Sequence, residues 1–288
     1  MPDASRLLKR LYRFRQEARS APRHSLRHLL LPRRKAALLT ELRRDWPGAY
    51  AETDGEELVF VPAPLDARGE HMLFYGFDVP ATALAFAPRG GTVIDIGANL
   101  GEWAVPLAQA VGPAGQVFCC EPNPAVAAAL EATLRVNGLD HAEVLRIAVS
   151  DIEGEGHLAL HPGDTGQSRL AAAGIPVTLR TLDALAAEHG LDRIDLVKVD
   201  VEGHEAAVLA GAMEVLRRHR PALIFEAGHE TANDRERIAL LLEDLAYEPV
   251  TVLQPYGALP CTLADYRAAA GACAGREAHN ILALPLRR

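Results

Sequence analysis

The chain has 288 residues, 49% of them apolar, which suits one large domain or a domain with an extension built around a sizeable core. It contains no apolar run of ~18 residues and no apolar segment of the secretory type near its start, so neither a membrane span nor secretion is expected. The four cysteines lack metal-site spacing, and a reduced, cytoplasmic protein is the simplest interpretation.

The net charge of −8 is unevenly distributed along the chain. Residues 1–45 hold thirteen Lys or Arg and four acids and carry +9, so the remainder carries −17. The plain interpretation is a solvated basic segment packed on an acidic body. Contact with an anionic membrane surface and a homo-oligomer contact are the alternatives. The acidic body argues against a nucleic-acid partner.

The basic extension, residues 1–45, is predicted to be helical. Leucines and aromatics alternate with arginines over 4–19, Pro22 and Pro32 bracket a second short helix, and 35–44 is a third. Residues 46–88 form a small β and lid element in this prediction, with a strand at 57–61. Within it, 71–80 either covers a neighbouring pocket as a lid or simply packs.

The main domain, residues 89–288, opens with a β-α-β unit. An apolar strand at 92–96 runs into a loop with Gly97 and Gly101, then a helix, and then a second strand at 117–120 that ends on Glu121. Glycine lets a backbone approach a ligand closely, and the free N–H groups of the helix face the same space. An acid at the second strand tip suits the two hydroxyls of a ribose. This unit predicts a site for a nucleoside-containing cofactor, against the alternative of a tight turn without a ligand.

The details of the loop favour one cofactor over another. A dinucleotide loop has glycine at its middle position, where this chain has Asn99. Asp95, two residues before the first glycine, can hold the ammonium group of S-adenosylmethionine directly or through water. We therefore predict S-adenosylmethionine, and keep an NAD-dependent oxidoreductase as the rival enzyme class.

Further strands and helices alternate along the rest of the chain. The predicted strands are 144–149, 157–161, 176–182, 194–199, 222–225, 249–253 and 280–284, and the predicted helices are 125–137, 183–190, 205–218 and 233–246. The apolar strand 194–199 reads as a buried parallel strand and ends on Asp200. Acids or polar residues follow several strands: Asp95, Glu121, Ser150 and Asp151, Asp200, and Glu226. Open α/β sheets place their sites at carboxyl strand ends, and acids gathered there are costly unless they bind or pair, so we expect a functional site at this edge.

At these positions the chain resembles the FkbM family of S-adenosylmethionine-dependent methyltransferases. The matching segments are 93–101, 118–124, 148–151, 181–183 and 198–205. The resemblance covers about residues 89–230 and implies an α/β, Rossmann-like class I methyltransferase fold with a seven-stranded, mostly parallel sheet and helices on both faces. It also implies O-methylation of a hydroxyl on a sugar, glycan or natural product. The paired Cys119 and Cys120 depart from the family's pattern, which we interpret as a packing change.

Carried over residue by residue, the resemblance implies the positions of the cofactor groups. It places Asp95, Gly97, Asn99 and Gly101 around the methionine part and Glu121 on the ribose. Ser150 or Asp151 lies near the adenine, although a turn-forming pair explains them too, and Asp200 lies beside the transferred methyl. The predicted cofactor site also includes Ala98, Pro122 and Asn123.

A sugar hydroxyl is a poor nucleophile at neutral pH, so a nearby base helps. Asp200 is the first candidate and His229 the second, followed by His204 and Glu202; Asp200 alternatively only holds the cofactor. The side chains of Asp200, Glu202, Glu226 and His229 would suit Mg²⁺ as ligands. Nothing in their spacing demands a metal ion, so none is predicted. A non-catalytic S-adenosylmethionine-binding scaffold, with the basic extension recruiting a partner, is the remaining alternative.

Overall fold

The computed structural model describes residues 10–11, 13–14, 17–18, 20, 26–45, 50–51, 58–59, 66–75, 79–254, 257–274 and 279–286. Its helices are α1 Leu26–Asp45, α2 Ala67–Tyr75, α3 Ala81–Leu84, α4 Ala104–Val111, α5 Pro124–Val136, α6 Leu182–Glu188, α7 Glu205–Ala210, α8 Met213–His219, α9 Ala232–Asp244 and α10 Leu263–Ala268. Its strands are β1 Tyr50–Ala51, β2 Leu58–Val59, β3 Thr92–Ile96, β4 Gln116–Cys120, β5 Ala142–Leu145, β6 Ala148–Val149, β7 Gly154–Ala159, β8 Arg169–Ala171, β9 Ile175–Arg180, β10 Leu196–Val199, β11 Ala222–Ala227, β12 Tyr247–Gln254, β13 Gly257–Pro260 and β14 His279–Pro285.

The main sheet has the strand order β13-β12-β14-β11-β10-β3-β4-β5. Strands β5, β4, β3, β10 and β11 are parallel neighbours, and β14 enters antiparallel between β11 and β12. The described part of this sheet thus holds eight strands, and the prediction of seven is wrong by one. The additional strand is β13, which pairs antiparallel with the second half of β12 as a hairpin at the sheet edge.

Helices cover both faces of the main sheet. On one face α4 and α5 pack with Val93, Val117 and Ile224. On the other face α6 to α10 pack with Ile94, Phe225 and their neighbours. Alternate residues of β3 and β4 therefore enter different cores, and both faces are apolar, which explains why these parallel strands read as continuous apolar runs.

A second sheet, in the order β6-β9-β7-β8, stands beside the carboxyl ends of the main sheet. The predicted strand 144–149 is divided between the two sheets, which corrects that prediction. Its first part is β5, which pairs with β4, and its last two residues are β6, which pairs with β9. The chain turns at Arg146, where the N–H of Ile147 donates to the carbonyl of Leu145.

The predicted helix 205–218 is also interrupted, because α7 ends at Ala210 and α8 begins at Met213. A Cβ at Gly211 would lie 2.0 Å from the carbonyl oxygen of Ser150, so this glycine permits the close approach of the loop after β6.

The extension departs from its prediction as well. Leu26–Asp45 is one helix that contains Pro32, so the predicted helix boundary at Pro32 is wrong, and 35–44 belongs to the same helix. Leu38 and Leu42, one helical turn apart, are both buried, and this packing holds the helix together beyond the proline. Of the predicted strand 57–61 the structure describes only β2, which pairs with β1. Residues 1–9, 21–25 and 76–78 lie outside the described residues, and so do parts of the predicted helix 4–19.

Candidate functional site

The glycine-rich loop joins the ends of two central strands. Gly97 has φ +78°, and a Cβ there would lie 1.8 Å from the carbonyl oxygen of Asp200, so only glycine lets the loop after β3 meet the end of β10. Asn99, at the middle position of the loop, has φ +46°. Asparagine is one of the few residues other than glycine that adopt this left-handed conformation readily. The substitution for glycine noted in the sequence therefore preserves the backbone conformation.

Glu121, at the tip of β4, is held by the backbone of this loop. Its Oε2 accepts the N–H of Asn99 at 3.0 Å and its Oε1 accepts the N–H of Asn123 at 2.8 Å. Burial raises the pKa of Glu121 to about 7, although the two N–H groups oppose that rise. The carboxylate is thus fixed in orientation, and each oxygen keeps a lone pair for a further donor.

Asp95 lies beneath the loop and is fully buried. None of the described residues donates a hydrogen bond to either of its carboxylate oxygens. Lys198 is its register partner on β10. Burial raises the pKa of Asp95 to about 6, against the opposing charge of Lys198.

Asp200 is engaged by a cation. Its Oδ2 lies 2.7 Å from Nζ of Lys198, whose side chain is 1% exposed. Burial raises the pKa of Asp200, but the charges of Lys198 and Arg68 outweigh burial and leave that pKa below its ordinary value. An ion-paired carboxylate with a lowered pKa is a weak proton acceptor.

A second group of ionisable side chains follows β10 and β11. Nδ1 of His229 lies 2.7 Å from Oε2 of Glu202 and 3.4 Å from Oε2 of Glu226. Burial raises the pKa of Glu202. Burial and the charge of Asp200 raise the pKa of Glu226 to about 9, so Glu226 carries a proton at neutral pH. The potential ligand atoms of Glu202, Glu226 and His229 all lie within 4.8 Å of one another, which makes the three a candidate cation-binding group.

A third group of polar side chains lies after β6. Ser150 is 2% exposed, and its Oγ lies 2.9 Å from Nε2 of His204. The same hydroxyl donates to Oδ1 of Asp151 at 3.2 Å. Burial lowers the pKa of His204, so the imidazole is neutral at physiological pH.

These groups surround a cleft that is partly open to solvent. Eight of the predicted site residues line it: Gly97, Ala98, Asn99, Glu121, Pro122, Asp200, Glu202 and His204. Six do not line it: Asp95, Gly101, Asn123, Ser150, Asp151 and His229. His204, rather than Ser150 or Asp151, thus reaches the cleft from that wall.

Part of the cleft wall consists of residues that were not predicted from the sequence. The additional polar or aromatic lining residues are Arg68, Glu102, Trp103, Thr165, Ser168, Arg169 and Lys198. An apolar wall from the strand divided at Arg146 and from the small sheet consists of Ile147, Ala148, Val149, Leu158 and Leu170. A lysine inside an otherwise apolar strand was the one sequence signal for this set.

The start of α2 closes the cleft from above. Nη1 of Arg68 lies 2.9 Å from Oε2 of Glu102. The carboxylate of Asp66 accepts the N–H of Thr165 at 2.8 Å, and the hydroxyl of Thr165 donates to Oδ1 of Asn99 at 3.2 Å. Residues 66–68 thereby join the polar loop before β8 to the glycine-rich loop, and the lid alternative for residues 71–80 stays a prediction. The side chains of Phe74 and Tyr75, and all of Phe77 and Asp78, lie outside the described residues.

The parallel centre of the sheet, the antiparallel β14 and the cleft at the carboxyl strand ends define a Rossmann-like class I methyltransferase fold. Residues 95–249 match the family model described as the Methyltransferase FkbM domain, and the chain belongs to that family.

Two curated relatives and one solved structure illustrate the likeness. The 2-O-methyltransferase NoeI of Sinorhizobium fredii is 32% identical over an alignment of 150 residues, and the match covers 44% of this chain and 60% of NoeI. The chain therefore matches less than two thirds of that relative. Methyltransferase sdnD of Sordaria araneosa is 26% identical over an alignment of 200 residues, and the match covers 57% of this chain and 76% of sdnD. The crystal structure of Methyltransferase FkbM from Methylobacillus flagellatus is 18% identical, with a TM-score of 0.42, and the match covers 83% of this chain and 52% of that one.

Among the described helices, none combines the length and apolar character needed to cross a membrane.

Proposed function

We propose that the chain transfers a methyl group from S-adenosylmethionine to a hydroxyl oxygen of a sugar, glycan or natural product. The observation that carries this proposal is Glu121, a buried strand-tip carboxylate oriented by two backbone N–H groups at the glycine-rich loop and open to the cleft. The family supports the reaction type, and the similarity to NoeI, a 2-O-methyltransferase, supports a hydroxyl acceptor.

The residues that line the cleft, together with Asp95 buried beneath the glycine-rich loop, fit the cofactor. Glu121 has an acceptor position left on each oxygen for the ribose hydroxyls. Asp95 has two buried oxygens without a donor among the described residues, which suits an ammonium group directly or through water. The apolar wall around Leu158 and Leu170 suits the adenine ring, with His204 as its polar neighbour.

When bound, S-adenosylmethionine supplies an electrophilic methyl group on a positively charged sulfur. The chain supplies orientation, exclusion of water and a proton acceptor. Arg68 and Glu102 cover the cleft, and the Lys198–Asp200 ion pair fixes its floor.

We assign the proton acceptor to Glu202 rather than to Asp200, the first choice from the sequence. Glu202 lines the cleft, whereas His229 does not. Burial raises the pKa of Glu202, while Lys198 and Arg68 hold the pKa of Asp200 down. His229 binds the carboxylate of Glu202 through Nδ1 and so orients it for the acceptor hydroxyl.

A Mg²⁺ ion is an alternative ligand for the candidate cation-binding group described above. It would take Glu202, Glu226 and His229 as ligands, whose oxygen and imidazole atoms are of the right type. Occupation would remove Glu202 as a proton acceptor, so the two alternatives exclude each other. Turnover that survives EDTA supports Glu202, oriented by His229, as the proton acceptor. Turnover that is lost to EDTA and restored by Mg²⁺ or Mn²⁺ supports a bound metal ion.

The deciding experiment is calorimetric titration of the purified chain with S-adenosylmethionine, S-adenosylhomocysteine and NAD⁺ side by side. Micromolar binding of the first two and none of NAD⁺ is expected, and would justify a screen of hydroxylated glycans as acceptors. Binding of NAD⁺ alone would overturn the proposal in favour of an oxidoreductase. Cofactor binding without turnover of any acceptor would favour the non-catalytic scaffold.

A further inference from the structure

Two buried cysteines lie in contact behind the carboxyl-terminal part of the sheet. The Sγ atoms of Cys261 and Cys273 are 2.6 Å apart, and the two residues are 4% and 5% exposed. Cys261 follows β13, and Cys273 ends the one-turn helix Gly271–Cys273. Such a separation is shorter than a van der Waals contact between two sulfur atoms, so these thiols need little movement to bond.

The other two cysteines have no such arrangement. Cys119 and Cys120 are adjacent on β4, and their side chains enter the cores on opposite faces of the main sheet. They cannot bond to each other without disrupting the strand. The chain therefore contains one pair suited to cross-linking and one pair that serves as an internal control.

We propose that Cys261 and Cys273 are a redox-active pair that a hydroperoxide converts to a disulfide. The thiolate of one cysteine attacks the terminal oxygen of the hydroperoxide; the O–O bond breaks, hydroxide (or the alkoxide of an organic hydroperoxide) leaves and takes up a proton to become water or an alcohol, and a sulfenic acid forms. The sulfur of the other cysteine then attacks this sulfenic sulfur, an S–S bond forms, and the hydroxyl leaves with the second thiol's proton as water. Two thiols lose two electrons in total, and one hydroperoxide accepts them.

The surroundings indicate which sulfur reacts first. Either sulfur can donate in the contact between the two thiols; donation from Cys261, together with His279, lowers the pKa of Cys273 although burial opposes it. The same contact raises the pKa of Cys261. Cys273 is therefore the attacking thiolate, and Cys261 resolves the sulfenic acid. Exposed Gly271 and Ala274 flank Cys273, which places it one layer below the surface.

The bond would tie down the segment that supports one side of the candidate site. Helix α10 lies between the two cysteines, and its Tyr266 packs edge-on against Phe225, the residue before Glu226, at 5.4 Å. Cys273 also shares a small cavity wall with Gly228 and Glu230, on either side of His229. A disulfide there closes a short loop around α10, so we expect the oxidised protein to melt higher, by on the order of 5 °C.

Peptide mapping tests the proposal directly. The reduced full chain is treated with hydrogen peroxide, denatured with an alkylating reagent and digested with trypsin. Arg267 lies between the cysteines, so a disulfide links peptides 238–267 and 268–276, whereas Cys119 and Cys120 share peptide 90–135. The expected result is the linked pair, two hydrogens lighter than its reduced parts, with Cys119 and Cys120 alkylated.

Variants test the order of events. C261S is expected to give no link and to leave Cys273 as a sulfenic acid that a dimedone-type reagent traps, while the control C119S keeps the link. The wild-type map decides the main question even if C261S fails to fold. Alkylation of both Cys261 and Cys273 after peroxide treatment of the wild type would overturn the proposal. An oxidised Cys273 without a linked peptide would overturn it as well.

Discussion

Replacement of Glu121 is the sharpest test of the candidate cofactor site. Its carboxylate makes two structural hydrogen bonds, to the N–H groups of Asn99 and Asn123, before any ligand binds. Glu121→Ala removes the ribose acceptor and also leaves those two N–H groups without their partner. The glycine-rich loop should therefore lose orientation at the same time as the ligand loses a contact.

The magnitude follows from the kind of bond that is lost. A hydrogen bond to a charged group contributes about 1.5–3 kcal/mol, and each 1.4 kcal/mol is a tenfold change in Kd. The loss of one such bond should weaken the binding of S-adenosylmethionine at least about tenfold, and the loss of both ribose contacts should weaken it further. Glu121→Gln should weaken cofactor binding almost as much. Both oxygens of Glu121 face backbone N–H donors, so the amide must direct its NH₂ group at one of them.

The assay is calorimetric titration with S-adenosylhomocysteine at pH 8, above the pKa of about 7 that burial gives Glu121. Glu143→Ala is the matched control, because Glu143 is exposed on β5 and does not line the cleft. Wild-type binding should weaken as the pH falls from 8 to 6, since the carboxylate takes up a proton. An unchanged Kd in folded E121A, verified by its melting transition, would refute the ribose assignment.

Three further predictions address other parts of the molecule. Glu202→Gln should lower kcat in a methyl-transfer assay by about 10²–10⁴-fold and leave the Kd for S-adenosylmethionine unchanged. A kcat within threefold of the wild-type value would count against Glu202 as the base. Asp95→Asn should raise the free energy of unfolding of the cofactor-free chain relative to wild type by up to about 3 kcal/mol at pH 8, from the difference between a folded pKa of about 6 and the ordinary 3.8. The folded chain holds the proton of Asp95 to higher pH than the unfolded chain. The stabilisation from protonated Asp95 is therefore complete below about pH 4 and is lost as the pH rises through 6. Urea unfolding curves of wild type and D95N that differ equally at pH 4 and pH 8 would contradict this. Deletion of residues 1–45 should spare cofactor binding but alter assembly or vesicle binding, because two ion pairs of this segment, Arg10–Glu41 and Arg34–Glu17, join residues within it. Loss of cofactor binding in a soluble truncation would make the extension part of the pocket.

The central elements of the fold could be predicted because their signals are local. The strand at 92–96 was predicted with the bounds it has in the structure, since an apolar run there meets a glycine on each side. The division of 144–149 could not be predicted, because it depends on pairing of Ala148 with Leu179, far along the chain. The edge strand β13 likewise depends on its partner β12.

The candidate site divides in the same way. The strand-tip positions of Glu121 and Asp200 follow from parallel topology, which collects carboxyl ends at one edge. Their chemical states do not follow from it. The pKa of Asp200 is low because Lys198 lies 2.7 Å away, and nothing in the predicted lid element 46–88 singles out Arg68 as the residue that reaches the same cleft.

The cost of gathering acids at one sheet edge shows which of them await a ligand. Lys198 neutralises Asp200, two backbone N–H groups bind Glu121, and Glu226 keeps its proton at neutral pH. Asp95 alone among these strand-end acids is fully buried with both oxygens unmatched by any described donor. A buried carboxylate without a donor destabilises a fold by several kcal/mol in its charged form, unless it is protonated or a cation approaches. The ammonium group of S-adenosylmethionine is such a cation, and its binding should lower the pKa of Asp95 and release a proton near pH 6. The heat of cofactor binding at pH 6 should therefore vary less with the ionisation enthalpy of the buffer in D95N than in the wild type, and the variation left in D95N is the proton that Glu121 releases.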